Sequence, residues 1–301
     1  MIPAAWSAPL ASYLWQVAVH SAVMGFVFYA WARHVRLPSG RTKRTLLAIL
    51  LVLPLFTAAV PGRAGTAFAE QTAWLNSARV LAIPLAAGIR LYQVVLAAAI
   101  LMIAVTLWQE LSLALRRPRV VADDVPESFE RLVRERAQWP QCEVAISPLP
   151  SMFVATSGWP SRPRLVVSRG ALQLLTEREL AAVVAHEHAH WQDGRWWRLH
   201  ALFLVRLAQC YHPVALWAFR EYCLEVEVDC DAAAAGDDRR SLARILLRVY
   251  ESVDRRDGAA RAALRKRVDV LLAGGPRDAA LPATTIAAAT LVMGLVLPWI
   301  V

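Results

Sequence analysis

Ala185-His186-Glu187-His188-Ala189-His190 carries the pattern H-E-x-x-H, two histidines four residues apart with Glu187 directly after the first. On a helix, positions i and i+4 share a face, so His186 and His190 can present two imidazoles to one zinc ion. Glu187 points about 100° away around the axis. That is too far round for a ligand, and right for reaching a water on the ion.

Working outward, Thr176-Glu177-Arg178-Glu179 forms a capping box, with Thr176 as N-cap and Glu179 at N3, and starts the helix that carries the histidines. A catalytic zinc needs three protein ligands and one open position. The third is expected from Glu225-Val226-Glu227-Val228-Asp229-Cys230-Asp231, where Glu227 and Asp231 lie one turn apart on one helix face. Glu227 is assigned as the ligand. Asp231 is assigned as the acceptor of a hydrogen bond from a ligating imidazole, which fixes its tautomer. Glu225 is read as a solvated surface acid. Zinc held there would lower the pKa of its bound water from 15.7 towards ~7. Glu187 would take the water's proton as general base and return it to the leaving amine as general acid. His188, His200 and His212 are read as packing or structural residues, and Cys223 as a small buried residue. The tryptophans Trp191, Trp196 and Trp197 are read as packing or anchoring groups. An oxyanion-stabilising group could come from His200, His212, Tyr222 or Arg195, and spacing does not choose among them.

The composition places this site at a membrane. Of 301 residues, 57% are hydrophobic, above the roughly 45–50% of soluble domains. The net charge is +9, yet no recognition-helix or zinc-finger pattern points to direct nucleic-acid binding. The basic residues instead flank apolar runs. Leu10 to Ala32 is expected as a first span, retained because no basic n-region precedes it. His20 interrupts it and should face other helices. Arg33, Arg36, Arg41, Lys43 and Arg44, with the turn Pro38-Ser39-Gly40, form a basic loop that the positive-inside rule puts in the cytoplasm. Thr45 to Val60 follows as a second span, containing Pro54, then an external loop to Arg79. Leu91 to Trp108 is a third span, ending at Arg116, Arg117 and Arg119. Thr284 to Val301 is a fourth. Both termini are then outside.

The expected domains are a membrane domain at 1–115, a cytosolic zinc peptidase domain at 116–281 and a last transmembrane helix at 282–301. In the middle segment, Glu127 to Gln138 reads as an amphipathic helix. Cys142 to Ile146, Met152 to Ala155 and Leu165 to Ser168 read as short strands, with a turn at Ser157-Gly158-Trp159-Pro160. Leu165 to Ser168 is the expected edge for an added peptide strand. The four cysteines, Cys142, Cys210, Cys223 and Cys230, lie in this segment and are expected as reduced thiols. Leu199 to Phe219 is apolar, but a crossing there would separate His190 from Glu227. It is read as a buried or membrane-grazing helix broken at His212-Pro213.

With these residues in view, the chain resembles membrane metallopeptidases of the BlaR/MecR antirepressor type. His186 to His190 matches that family's H-E-L-x-H, with His188 in place of the apolar residue, and Glu227 to Asp231 matches E-x-A-C-D. Arg267-Val268 and Leu271-Leu272 look like its late helix. The resemblance implies a mainly α membrane protein with four transmembrane helices and a cytosolic α+β gluzincin-like domain carrying a small sheet. It implies one catalytic Zn2+, and a protein or peptide substrate of which a cytosolic BlaI/MecI-like repressor is the family's usual example. Two departures stand out. Arg195 occupies a position where the family often has Asp, and the chain ends at Val301 without the penicillin-binding sensor domain. The expected function is a membrane zinc endopeptidase in signal transduction, in a bacterial-type plasma membrane, with a homo-oligomer left open. The alternatives are a membrane zinc protease that processes prenylated or misfolded membrane proteins, and a catalytically silent receptor or scaffold.

Overall fold

The apolar runs become long helices. In a computed structural model, which describes residues 4–35, 37, 39–59, 80–86, 88–115, 125–136, 139, 141–159, 161–192, 195–236, 238–252, 257–276 and 282–297, α1 spans Ala4–Val35 and α2 spans Arg41–Ala59. A short hairpin, β1 at Pro84–Ala86 and β2 at Ile89–Arg90, then leads into α3 at Leu91–Leu115. Gly88 turns this hairpin at φ 79°, a left-handed conformation that glycine adopts without penalty. Three stretches are long and apolar enough to cross a membrane: Leu10–His34, Arg41–Ala59 and Leu91–Gln109. The expected external loop between the second and third lies outside the described residues.

The middle segment begins with α4 at Glu127–Arg131, which continues as a π-helical turn through Leu132–Arg136. Three strands follow: β3 at Glu143–Ser147, β4 at Val154–Trp159 and β5 at Arg162–Ser168. Their order is β3-β5-β4, with β3 parallel and β4 antiparallel to β5. This corrects two expectations. Ser157 to Trp159 belongs to β4, because Gly158 takes φ 98° opposite Pro163 and keeps the pairing to Arg162. Leu165 to Ser168 is not an edge, since β5 is the central strand and its ladder is filled on both sides. The two edge strands are β3 and β4.

Two helices follow the sheet, α5 at Arg169–Leu174 and α6 at Glu177–Trp191. Both halves of the Thr176–Glu179 capping box are formed, and such a cap stabilises a helix start by about 1 kcal/mol. Next come α7 at Arg195–Ala208, α8 at Pro213–Ala235, α9 at Arg239–Ser252 and α10 at Gly258–Leu272. The last helix, α11 at Ala283–Val296, is apolar but shorter than the other three candidate spans.

Contacts divide the chain into two compact units. One holds Met1–Leu115, Ala201–Tyr222 and Asp278–Val301, and the other holds Arg116–His200 and Cys223–Arg277. The continuous 116–281 segment expected from composition differs from this at Ala201–Tyr222, which packs with the apolar helices for polar reasons. Gln209 is fully buried there; its amide donates to the Leu51 carbonyl at 2.7 Å and its oxygen accepts from Ser21 at 3.3 Å. The Tyr211 hydroxyl donates to the Leu14 carbonyl at 3.2 Å. A buried amide left without partners would cost about 1–3 kcal/mol. The helix does break at His212-Pro213, and Pro213 opens α8, where its missing N–H is not needed.

The second unit has its own core. Val133, Leu165, Val167 and Val184 are completely buried, joining the π-helical turn, the sheet and α6, and Leu246 and Leu271 add α9 and α10. Each such side chain contributes about 1.5–3 kcal/mol, so the site rests on a rigid base.

Candidate metal centre

Helix periodicity places His186 and His190 on one face of α6, and their Nε2 atoms lie 3.2 Å apart. Glu227, from α8, brings Oε2 to 3.4 Å from His186 Nε2 and Oε1 to 3.4 Å from His190 Nε2. These three residues form a group whose ligand atoms all lie within 4.8 Å of one another. Four tetrahedral ligands about 2.05 Å from a zinc ion stand about 3.3 Å apart. The His186–His190 separation is near that edge, and each Glu227 oxygen stands at a similar distance from one of the two nitrogens. Two imidazole nitrogens aimed at each other also need a cation or a proton between them, so the donor set fits a divalent ion.

The remaining ring nitrogens have partners. His186 Nδ1 lies 3.0 Å from Asp231 Oδ1, a charge contact without straight hydrogen-bond alignment. Asp231 itself is 1% exposed and takes a two-pronged grip from Arg267 on α10, Nε and Nη2 each at 2.7 Å. Arg267 Nη1 reaches Glu227 at 2.9 Å. His190 Nδ1 lies 3.5 Å from the buried Cys230 Sγ. If Nε2 takes the metal, Nδ1 carries the hydrogen and donates to sulfur. Cys230→Ala is therefore expected to weaken zinc binding by about tenfold, the low end of the range for groups supporting a ligand. A competition titration with a chelating dye measures it, and an unchanged affinity removes the role.

The electrostatics follow from these contacts. Burial pulls the His186 pKa down, but Asp231 and Glu227 outweigh it and hold it at about 9. Burial pushes Glu227 up, but His186 and Arg267 bring it down to about 2. A divalent ion must displace the His186 proton, so its affinity falls as pH falls. Glu187 is different. Burial, the largest influence, raises its pKa above the usual carboxylate range, against a lowering by the Thr156 hydrogen bond and His186. The Thr156 hydroxyl and backbone N–H, on the outer edge of β4, both donate to Glu187.

The structure thus brings together His186, Glu187, His190, Glu227 and Asp231. Among the described residues, Cys223 is not part of the metal group. His188 stacks on Trp139, centroids 4.8 Å apart, and Trp191 packs on the same ring. Glu225 corrects an expectation: it is 1% exposed and pairs with Lys266 at 2.9 Å, which places it inside the α8–α10 interface. Two site residues escaped sequence reasoning. Arg267 was matched only to the late helix of the resembling family, with no role attached. Three acids on one helix, Glu225, Glu227 and Asp231, were the available signal, because buried carboxylates require countercharges. Thr156 had no such signal.

Part of the chain is similar to known peptidases, independently of the geometry. The pattern of Peptidase family M48 matches residues 121–226, covering the sheet and the histidine helix and stopping one residue before Glu227. The chain is also similar to two proteins each described as a Protease HtpX homolog. One, from Gemmatimonas aurantiaca, is 34% identical over 118 residues, 37% of each chain. The other, from Kineococcus radiotolerans, is 37% identical over 94 residues, 29% of this chain and 32% of that protein. The matches thus span about a third of these curated relatives. They do not single out the BlaR/MecR type.

Proposed function

We propose that this chain is a membrane-embedded, zinc-dependent endopeptidase. The observation that carries the reading is the convergence of His186, His190 and Glu227, whose ligand atoms lie within 4.8 Å of one another, with Glu187 beside them. His186, His190 and Glu227 would hold the ion, which supplies an activated water and polarises the scissile carbonyl. Glu187, its pKa raised by burial, accepts a proton at its carboxylate and returns it to the leaving amine. Thr156 holds Glu187 in orientation. Asp231 and Arg267 fix the His186 ring and the Glu227 carboxylate.

The exposed edge of β4 runs past Glu187, so an extended substrate adds there as a further strand. The Val154 N–H alternates with inward-bonded Phe153 and points to that free edge. Proline is tolerated at such positions. Val154→Pro is expected to lower kcat/KM about tenfold with the melting midpoint unchanged. Steady-state kinetics on a quenched peptide measures it, and full activity would sink strand addition.

The apolar helices and the likeness to HtpX homologs support a multi-pass membrane protein. The basic loop supports a cytoplasmic catalytic domain with both termini outside, and Thr284 to Val301 supplies a fourth span. The Cys230-Asp231 pair favours a cytosolic repressor of the BlaI/MecI type as substrate, in signal transduction. The HtpX likeness favours the second reading, in which the substrate is a membrane protein. Proteomes of cells carrying the wild type or Glu187→Ala separate them. A transcription factor cleaved only in the wild type supports the first, and accumulation of membrane proteins supports the second. Purified protein that binds no zinc would overturn both in favour of a silent receptor.

A further inference from the structure

The apolar helices of the first unit do not pack shut. A groove of about 400 Å³ runs between α1, α2 and α11, lined by Met24, Phe28, Trp31, Leu50, Ile286 and Met293 among others. Its lining on α1 follows 24, 27, 28, 31 and on α2 46, 49, 50, 53, the spacing of single helix faces. Each stripe rises about 10 Å along its helix. At the far end Gly294 comes close to Leu53. Among the lining side chains only Trp31, Thr285 and Thr290 carry a hydroxyl or N–H, and the Thr290 hydroxyl is committed to the Ile286 carbonyl at 2.8 Å. Water has little to hold there, and an apolar chain does.

The other end is charged. Trp31 and Leu46 are the lining residues nearest the turn between α1 and α2. Within five positions of them stand Arg33, His34, Arg41, Lys43 and Arg44, with Arg33, His34 and Arg41 exposed. Lys43 is paired with Glu221 at 3.2 Å, and Arg33 donates to the Tyr29 hydroxyl. An apolar slot that opens at a cationic rim matches a molecule with a hydrocarbon tail and an anionic head. Basic residues at a membrane surface attract anionic lipid, and a tail buried in protein would make that attraction site-specific.

We propose that this groove seats an acyl chain of an anionic phospholipid, with its phosphate against Arg33 and Arg41. The inference rests on the membrane reading above, but not on the peptidase reading. The full chain is reconstituted in nanodiscs of equimolar phosphatidylcholine and phosphatidylglycerol, and retained lipid is counted by native mass spectrometry. One phosphatidylglycerol should persist per chain. Arg33→Gln and Arg41→Gln should each lower the preference for phosphatidylglycerol by about fivefold, the effect of one basic residue near an anionic surface. Ala289→Trp, which fills the groove, should remove retention of either lipid. Both arginines are exposed, so their variants should fold, and zinc content checks this. Equal retention of the two lipids by the wild type, or retention unchanged by Ala289→Trp, overturns the proposal. So does a cross-linked dimer through Cys introduced at Ala289, which would make the groove a seat for a second copy. Extraction from cell membranes without detergent would instead overturn the membrane reading itself.

Discussion

Glu187→Gln yields a folded protein that keeps its zinc and cleaves peptide about 10²–10⁴-fold more slowly, the loss that accompanies removal of a general acid–base group. The substitution keeps the shape and one carbonyl acceptor for the Thr156 hydroxyl. It removes only the ability to take a proton. Glu187 stands apart from the metal group, whose ligand atoms come from His186, His190 and Glu227, so zinc content should not change. The raised pKa of Glu187 brings it nearer to neutrality, where a carboxylate best both accepts and returns a proton. The decisive pair of measurements is zinc per chain and initial rate on the same preparation. A Glu187→Gln protein with wild-type turnover would exclude the mechanism. A protein that loses zinc along with activity would assign Glu187 to the metal instead.

Much of this site could be read from the chain. Two local rules placed the histidines: the four-residue spacing on a helix and the capping box that starts it. The place of Glu227 needed one further step, that Glu227 and Asp231 share a face, and Glu227 does lie 3.4 Å from both histidines. The break at His212-Pro213 was also legible, because proline ends one helix and opens another. What failed was long-range. Strand order is not local, and so Leu165 to Ser168 was expected at an edge when it lies at the centre of β3-β5-β4. Glu225 looks like a surface acid in a charge run, and only the pairing of α8 with α10 buries it. Gln209 and Tyr211 look like interruptions of an apolar helix, and only Leu51, Ser21 and Leu14 explain them. The same limit hid the role of Arg267, whose partners lie on a helix about 40 residues earlier.

Those partners set up the second large effect. Arg267 holds both acids of the candidate metal centre, Asp231 with two hydrogen bonds and Glu227 with a third contact. Arg267→Met should destabilise the protein by about 3–5 kcal/mol, because it leaves buried carboxylates without their countercharge. The melting midpoint of the metal-free protein in detergent measures this. Zinc affinity should fall as well, by about 10–100-fold, since His186 loses the fixed Asp231 that orients its ring. The two effects can be separated. The double variant Arg267→Met/Asp231→Leu removes both buried charges and should recover most of the stability, because an apolar pair can replace a buried ion pair at little cost. It should not recover zinc affinity, because nothing then faces His186 Nδ1. If the single variant melts like the wild type, the ion pair carries no net stability. If the double variant binds zinc as tightly as the wild type, Asp231 does not brace His186, and α10 serves only to hold α8 in place.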